Sequence, residues 1–225
     1  MKYVSIDTET SGLDEDRQLL SIGVIFEDTE KKLSFEEIPK FNAIVLQQKI
    51  TGSPRALTMN ENIIKLMGEY LDGDNDRKFF LSETTGYKFY YEDDVVKKLY
   101  SFLYDLYYPN TEPIKGFKNF NGGEIVVSGN TKPLLINVAG KNFGTFDLPS
   151  LKKLPWWKKL ITVRQRIIDP SILFVDWKND EMLPSLKECK ERGNINGIVT
   201  HDAIEDAWDV IQVLRNFYWY GTENK

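Results

Sequence analysis

"SIDTETSGLD", residues 5–14, is the stretch on which the reading of this chain turns. With the preceding "KYV" it is a short β-rich apolar run that ends in two carboxylates, Asp7 and Glu9, and then in a turn. Side chains alternate across a strand, so Asp7 and Glu9 leave the same face, close together, at the strand's end. Two carboxylates so placed repel each other unless a cation sits between them, and oxygen ligands of this kind suit Mg²⁺ or Mn²⁺. Taken alone, the triplet also fits the polar start of a loop.

Working outward, "QLLSIGVIFE" reads as a second strand joined to the first through the turn residues "SGLDED", and "FNAIVLQQ" as a third. "SPRALTMNENIIKLMGEYL" places Ala56, Leu57, Ile63, Ile64, Leu66 and Met67 at near-helical spacing, with Pro54 suited to a first turn. "EDDVVKKLYSFLYDLYY" is an amphipathic helix with Val95, Leu99, Phe102, Leu103 and Leu106 on one face. The residues between these helices, at about 72–91, read as an inserted loop or hairpin, and a second insertion is expected at about 109–132. "PLLINVAG" is a continuous apolar run of the kind a buried strand carries, and "RQRIIDPSILF" holds one more short strand before Pro170. "LPSLKECKERG" is a short helix ended by Gly193. A closing helix from about 202 to 219 has the core face Ala203, Ile204, Ala207, Trp208, Ile211, Leu214 and Phe217. Strands first, then helices alternating with strands, indicate α/β or α+β with a mixed sheet.

The 225 residues suffice for one large domain with a full core, and 41% hydrophobic with 28% charged residues is ordinary globular usage. One cysteine, Cys189, cannot pair within the chain, which excludes a disulfide framework. With a single histidine as well, a zinc site built from several Cys and His ligands is excluded. No apolar run approaches membrane-spanning or signal-peptide length, so the expected setting is cytoplasmic, without a membrane partner. The formal charge of −5 gives no general attraction for a polyanion, so nucleic acid would need a local basic patch or metal ions offsetting clustered acids.

Two further acids matter. Asp147, in "GKNFGTFDLPSL", follows the run "PLLINVAG", which puts it at the edge of a sheet where α/β folds place ligands. It also fits a helix N-cap, with Pro149 compatible with a first turn. In "GIVTHDAIEDAWDVIQVL", residues 197–214, Asp202 and Glu205 have capping-box-like spacing. Asp206 stacks between Asp202 and Asp209 along one side of the helix, which costs stability unless something compensates. The lone histidine, His201, sits just before that helix.

The three segments together resemble the three motifs of the DnaQ-like (DEDD) superfamily of 3′→5′ exonucleases. Asp7 and Glu9 match motif I, and Asp147 with the flanking Asn142 and Phe146 matches motif II. His201 and Asp206 match motif III in its H-x-x-x-x-D form, which is that of the DEDDh branch with its proofreading exonucleases, RNase T and oligoribonuclease. The resemblance implies an RNase H-like fold, a mixed five-stranded sheet flanked by helices. It implies two Mg²⁺ or Mn²⁺ ions held by Asp7, Glu9, Asp147 and Asp206, with His201 as the general base toward the attacking water. The substrate implied is the 3′ end of single-stranded DNA or RNA, cut to nucleoside monophosphates, with a homodimer or a polymerase-associated subunit as the protein partners it suggests. It further implies substrate contacts from the motif I loop, Thr8, Thr10, Gly12 and Leu13, with Leu57 in the same pocket.

From the residues themselves, Lys158 and Lys159 beside Trp156 and Trp157 in "LKKLPWWKKLITVRQR" combine phosphate-neutralising cations with stacking rings, as single-strand binding requires. The same stretch fits equally well a helix end with a buried tryptophan pair. Two other readings stand beside the exonuclease: an RNase H-like module that binds nucleic acid or a partner without cleaving, and an endonuclease using the same metal pair.

Overall fold

The computed structural model describes residues 1–109, 119–120, 124–125 and 132–220. The strands are β1 (Lys2–Thr10), β2 (Leu19–Asp28), β3 (Lys40–Leu46) and β4 (Lys88–Tyr91), the last two separated by helices α1 (Pro54–Met59), α2 (Glu61–Asp72) and α3 (Asn75–Thr84). Helix α4 (Glu92–Tyr107) follows, then the small pair β5 (Asn119–Phe120) and β6 (Glu124–Ile125), β7 (Leu134–Ile136) and β8 (Val138–Ala139). Short helices α5 (Asp147–Leu151) and α6 (Trp157–Leu160) lead to β9 (Ile161–Val163), and α7 (Leu186–Arg192) and α8 (Ala203–Arg215) close the fold.

The main sheet has five strands in the order β4-β3-β2-β1-β8, antiparallel between β1, β2 and β3 and parallel at both margins. This is the mixed five-stranded α/β sheet expected. Strand alternation decides which helix covers which face. Val4 and Ile6 of β1 join α4 residues Val95, Leu99 and Leu103 in one core, whereas Tyr3 packs with Ile204, Ala207 and Ile211 of α8 in another. Ser5 ties α8 down by donating its hydroxyl to the Ala207 carbonyl at 2.8 Å. The far end of this helix is anchored by a buried ion pair in which Arg215 donates to both carboxylate oxygens of Glu27, at 2.8 and 2.6 Å.

Several elements differ from the sequence expectation. The stretch at 72–91 is not a loop or hairpin: it holds α3 and then β4, which pairs parallel to β3 at the sheet margin. Its apolar residues Leu81, Tyr87 and Phe89 are buried in a third cluster against α2, a long-range contact that local periodicity does not encode. The expected helix from Pro54 onward is two helices broken at Asn60, whose side-chain amide donates to the carbonyls of Thr10 and Ala56. "PLLINVAG" divides at Asn137: β7 pairs with β9 while β8 pairs with β1. The strand expected before Pro170 reduces to one bridge between Ile168 and Ala139. Helix α8 ends at Arg215 and continues as a wider π turn over Asn216–Tyr220, which leaves Phe217 exposed and not in the core. Most of the insertion expected at 109–132 lies outside the described residues.

Candidate active site

Asp7 and Glu9 stand on the α8 side of β1, one strand repeat apart, beside the first turn of α8. That helix can come so close because Asp7 pairs in register with Gly23 of β2. A Cβ on Gly23 would lie 2.2 Å from the carbonyl carbon of Ala203, so only hydrogen fits there. From the opposite face of β1, Thr8 donates its hydroxyl to Asp147 Oδ1 at 2.6 Å, fixing the first residue of α5 at the strand's end. Asp147 is the first helical residue and not the N-cap, which is Phe146. Arg17 braces this junction, donating to the Phe146 carbonyl at 2.8 Å, to Ser150 Oγ at 3.0 Å and to the carbonyls of Leu13 and Asp14.

The outcome is one cavity of about 620 Å³ whose lining includes Asp7, Glu9, Asp147, Asp206 and His201. One ligand atom each from Glu9, His201 and Asp206 lies within 4.8 Å of the others. The acids of the 202–209 segment are put to different uses. Asp202 caps α8 through Oδ1, which accepts from the amides of Ile204 and Glu205, and its Oδ2 accepts from the Tyr87 hydroxyl. Glu205 completes no capping box; it accepts from Thr200 Oγ1 at 2.6 Å. Asp209 forms a buried ion pair with Lys190 at 2.5 Å. Asp206 is buried, and its Oδ1 has no hydrogen-bond partner among the described residues.

Electrostatics mark the same residues. Burial, then repulsion from Asp147, Asp206, Glu9 and Asp202, holds the Asp7 carboxyl well above the ordinary range. Glu9 is pushed up to about 8 by burial and then by Asp206 and Asp202. Asp147 rises to about 7 through burial, opposed by its hydrogen bond from Thr8. Asp206 rises to about 7 through burial and the neighbouring Asp209. A buried carboxylate oxygen without a donor, among acids whose pKa burial raises, suits a divalent cation with oxygen ligands.

The expected substrate contacts divide. Thr8, Thr10, Gly12, Leu13, Asn142 and Phe146 line the cavity, and Leu13 projects with 80% of its surface exposed. Leu57 does not line it: α1 turns Ala56 and Met59, three positions apart on one face, toward the cavity instead. Lys158 and Lys159 are not at the cavity either; with Lys152, Leu154 and Trp156 they line a separate shallow depression. The tryptophan pair is split, since Trp157 is buried in the core while the ring of Trp156 has Lys97 and Lys159 over it at 5.4 and 5.3 Å.

Sequence reasoning missed Arg55, Lys141, Asn60 and Tyr87. Arg55, Asn60 and Lys141 line the cavity, and Tyr87 donates its hydroxyl to Asp202, the residue that follows His201. Asn60 was the one with a local signal, being an N-cap residue type in mid-pattern. The others are brought in by strand order and helix placement.

No protein-family model matches the sequence, and no curated protein does. Solved structures are similar to it. One is E. coli exonuclease I in complex with a dT13 oligonucleotide, at 14% identity and TM-score 0.55, covering 99% of this chain and 42% of that one. Another is the same enzyme with a 5cy-dT13 oligonucleotide, at 12% identity and TM-score 0.50, covering 99% and 41%. A full-length 3′-exonuclease is similar at 11% identity and TM-score 0.53, covering 98% and 82%. The chain thus spans about two fifths of the length of the exonuclease I chains it resembles. The likeness is one of fold, the RNase H-like α/β fold with its mixed five-stranded sheet. No helix among the described residues is long and apolar enough to cross a membrane.

Proposed function

We propose that this chain is a divalent-metal-dependent 3′→5′ exonuclease of the DEDDh type that hydrolyses single-stranded nucleic acid to nucleoside monophosphates. The observation that carries the reading is the convergence of Asp7, Glu9, Asp147, Asp206 and His201, from three distant segments, on one cavity. The similar folds of exonuclease I and of a 3′-exonuclease support it.

Asp7, Glu9, Asp147 and Asp206 would hold Mg²⁺ or Mn²⁺, the free Oδ1 of Asp206 offering a ready ligand. A pair of such ions, when bound, supplies Lewis-acid stabilisation to the attacking and leaving oxygens of a phosphodiester. The chain's own groups do the rest. An imidazole nitrogen of His201 takes the proton from the attacking water as its oxygen bonds to phosphorus. The bond from phosphorus to the 3′ oxygen of the remaining strand breaks, that oxygen takes a proton from solvent, a nucleoside 5′-monophosphate leaves, and the imidazolium of His201 returns its proton to solvent. Leu13, Met59 and Phe146 give the cavity the apolar surface a terminal base needs, and Asn142 a polar group for the sugar or phosphate. Arg55 and Lys141, which line the same cavity, would offset the acids' repulsion of a phosphate. Lys152, Lys158 and Lys159 beside Trp156 would hold the strand farther from its end.

The test is digestion of end-labelled single-stranded DNA and RNA with Mg²⁺ or Mn²⁺, with EDTA as control. Progressive loss from the 3′ end is expected, with arrest on a 3′-blocked strand. Cutting of the blocked strand would make the enzyme an endonuclease, and the absence of any hydrolysis would leave a binding module.

A further inference from the structure

His201 occupies a left-handed backbone conformation, with φ of 58°. For a residue other than glycine this costs on the order of 1 kcal/mol and persists only where the surroundings over-determine it. No hydrogen bond to the imidazole is present among the described residues, so the ring is placed through its backbone. The neighbours on both sides are tethered. Thr200, before it, donates to Glu205 in the first turn of α8 at 2.6 Å. Asp202, after it, is held at both carboxylate oxygens, Oδ1 by the amides of Ile204 and Glu205 and Oδ2 by the hydroxyl of Tyr87.

Tyr87 is the contact in this set that comes from outside α8 and its entry. It lies between α3 and β4, buried with Phe89 in the cluster under α2, and so belongs to the packed margin of the sheet. Its hydroxyl joins that margin to the residue that follows His201. An ordinary N-cap needs only the amide bonds that Oδ1 already accepts, which leaves the Tyr87 contact without a capping role.

We propose that Tyr87 is a positioning residue for the hydrolysis: through Asp202 it locks the left-handed turn at His201 and so holds the imidazole beside Glu9 and Asp206. The proposal rests on the hydrolytic reading of the site. Phenylalanine at position 87 keeps the buried ring and removes only the hydroxyl.

The experiment is a double-mutant cycle of Tyr87→Phe and His201→Ala, read by single-turnover hydrolysis of a labelled single strand, with Mg²⁺ titration and thermal melting of each variant. Tyr87→Phe is expected to lower the rate about tenfold, with KM and the Mg²⁺ midpoint unchanged. In the His201→Ala background the same substitution is expected to change nothing further, because the group it positions is gone. Asp202→Ser, which keeps a good cap but has no second polar atom to meet the Tyr87 hydroxyl, is expected to reproduce the loss and serves if Tyr87→Phe misfolds. A wild-type rate in Tyr87→Phe or Asp202→Ser, an equal loss with and without His201, or a loss matched by a shifted Mg²⁺ midpoint overturns the proposal. Absence of hydrolysis by the wild-type protein overturns the hydrolytic reading itself, which a normal rate in Tyr87→Phe would leave intact.

Discussion

Gly23 and Ala203 touch backbone to backbone: a methyl group on Gly23 would stand 2.2 Å from the carbonyl carbon of Ala203. Gly23 is also the register partner of Asp7, so the same missing side chain sets the distance between the first acid on β1 and the first turn of α8. Gly23→Ala must therefore push α8 from the sheet. A loss on the order of 1–3 kcal/mol is expected by denaturant unfolding, together with a larger fall in hydrolysis than the stability change explains. Activity per folded molecule equal to wild type would show that the close approach does not set the site.

The metal-free protein should become less stable as pH rises. Glu9, Asp147 and Asp206 have ordinary values near 4 and are raised to about 8, 7 and 7 in the folded chain. Between these limits the folded state binds more protons than the unfolded one, so the slope of stability against pH is negative. In EDTA the melting temperature should fall from pH 5 to pH 8 by roughly 5 °C or more. Mg²⁺ should remove most of that dependence. A flat profile in EDTA would show that the acids are not held together at this cost.

Asp206→Asn should separate stability from activity. Replacing the buried charge with an amide removes its repulsion toward the neighbouring acids, so melting in EDTA at pH 8 is expected to rise by a few degrees. Stabilisation by Mg²⁺ should shrink, and hydrolysis should fall on the order of 100-fold. A variant that keeps both full activity and full Mg²⁺ response would remove Asp206 from the ligand set.

His201→Ala should fold and bind Mg²⁺ normally, since the residue is exposed and carries no core contact. Its turnover should drop by about 10²–10⁴. Near-wild-type turnover would end its assignment as the general base.

Lys158→Ala with Lys159→Ala leaves the cavity untouched, because neither residue lines it. Anisotropy measured with a long single strand is expected to show weaker binding and a salt slope shallower by about 1.4, because two ammonium groups no longer neutralise phosphates. An unchanged slope would return this stretch to a helix end beside a buried Trp157.

How far the sequence reached can be followed residue by residue. Asp7 and Glu9 were legible together because strand alternation is a local rule, and Asp206 because a helix repeats every few residues. The strands β1, β2 and β3 and the helices α4 and α8 followed from the same two periodicities. The segment from Asp72 to Tyr91 was misread because α3 has little apolar face of its own and β4 is a strand only by pairing with β3. For the same reason Tyr87 stayed invisible, as its partner Asp202 lies 115 residues away.

The sequence by itself determined which residue types would supply charge, and in what order along the chain they would come. Only the tertiary structure decided which charge goes where: Asp209 to Lys190, Glu205 to Thr200, Asp202 to its cap and Tyr87, and Asp206 to the cavity with one oxygen unpaired. Periodicity fixes the face on which a side chain stands, but a carboxylate's use depends on what the opposite face of the fold brings within about 3 Å of it, and that is a property of packing.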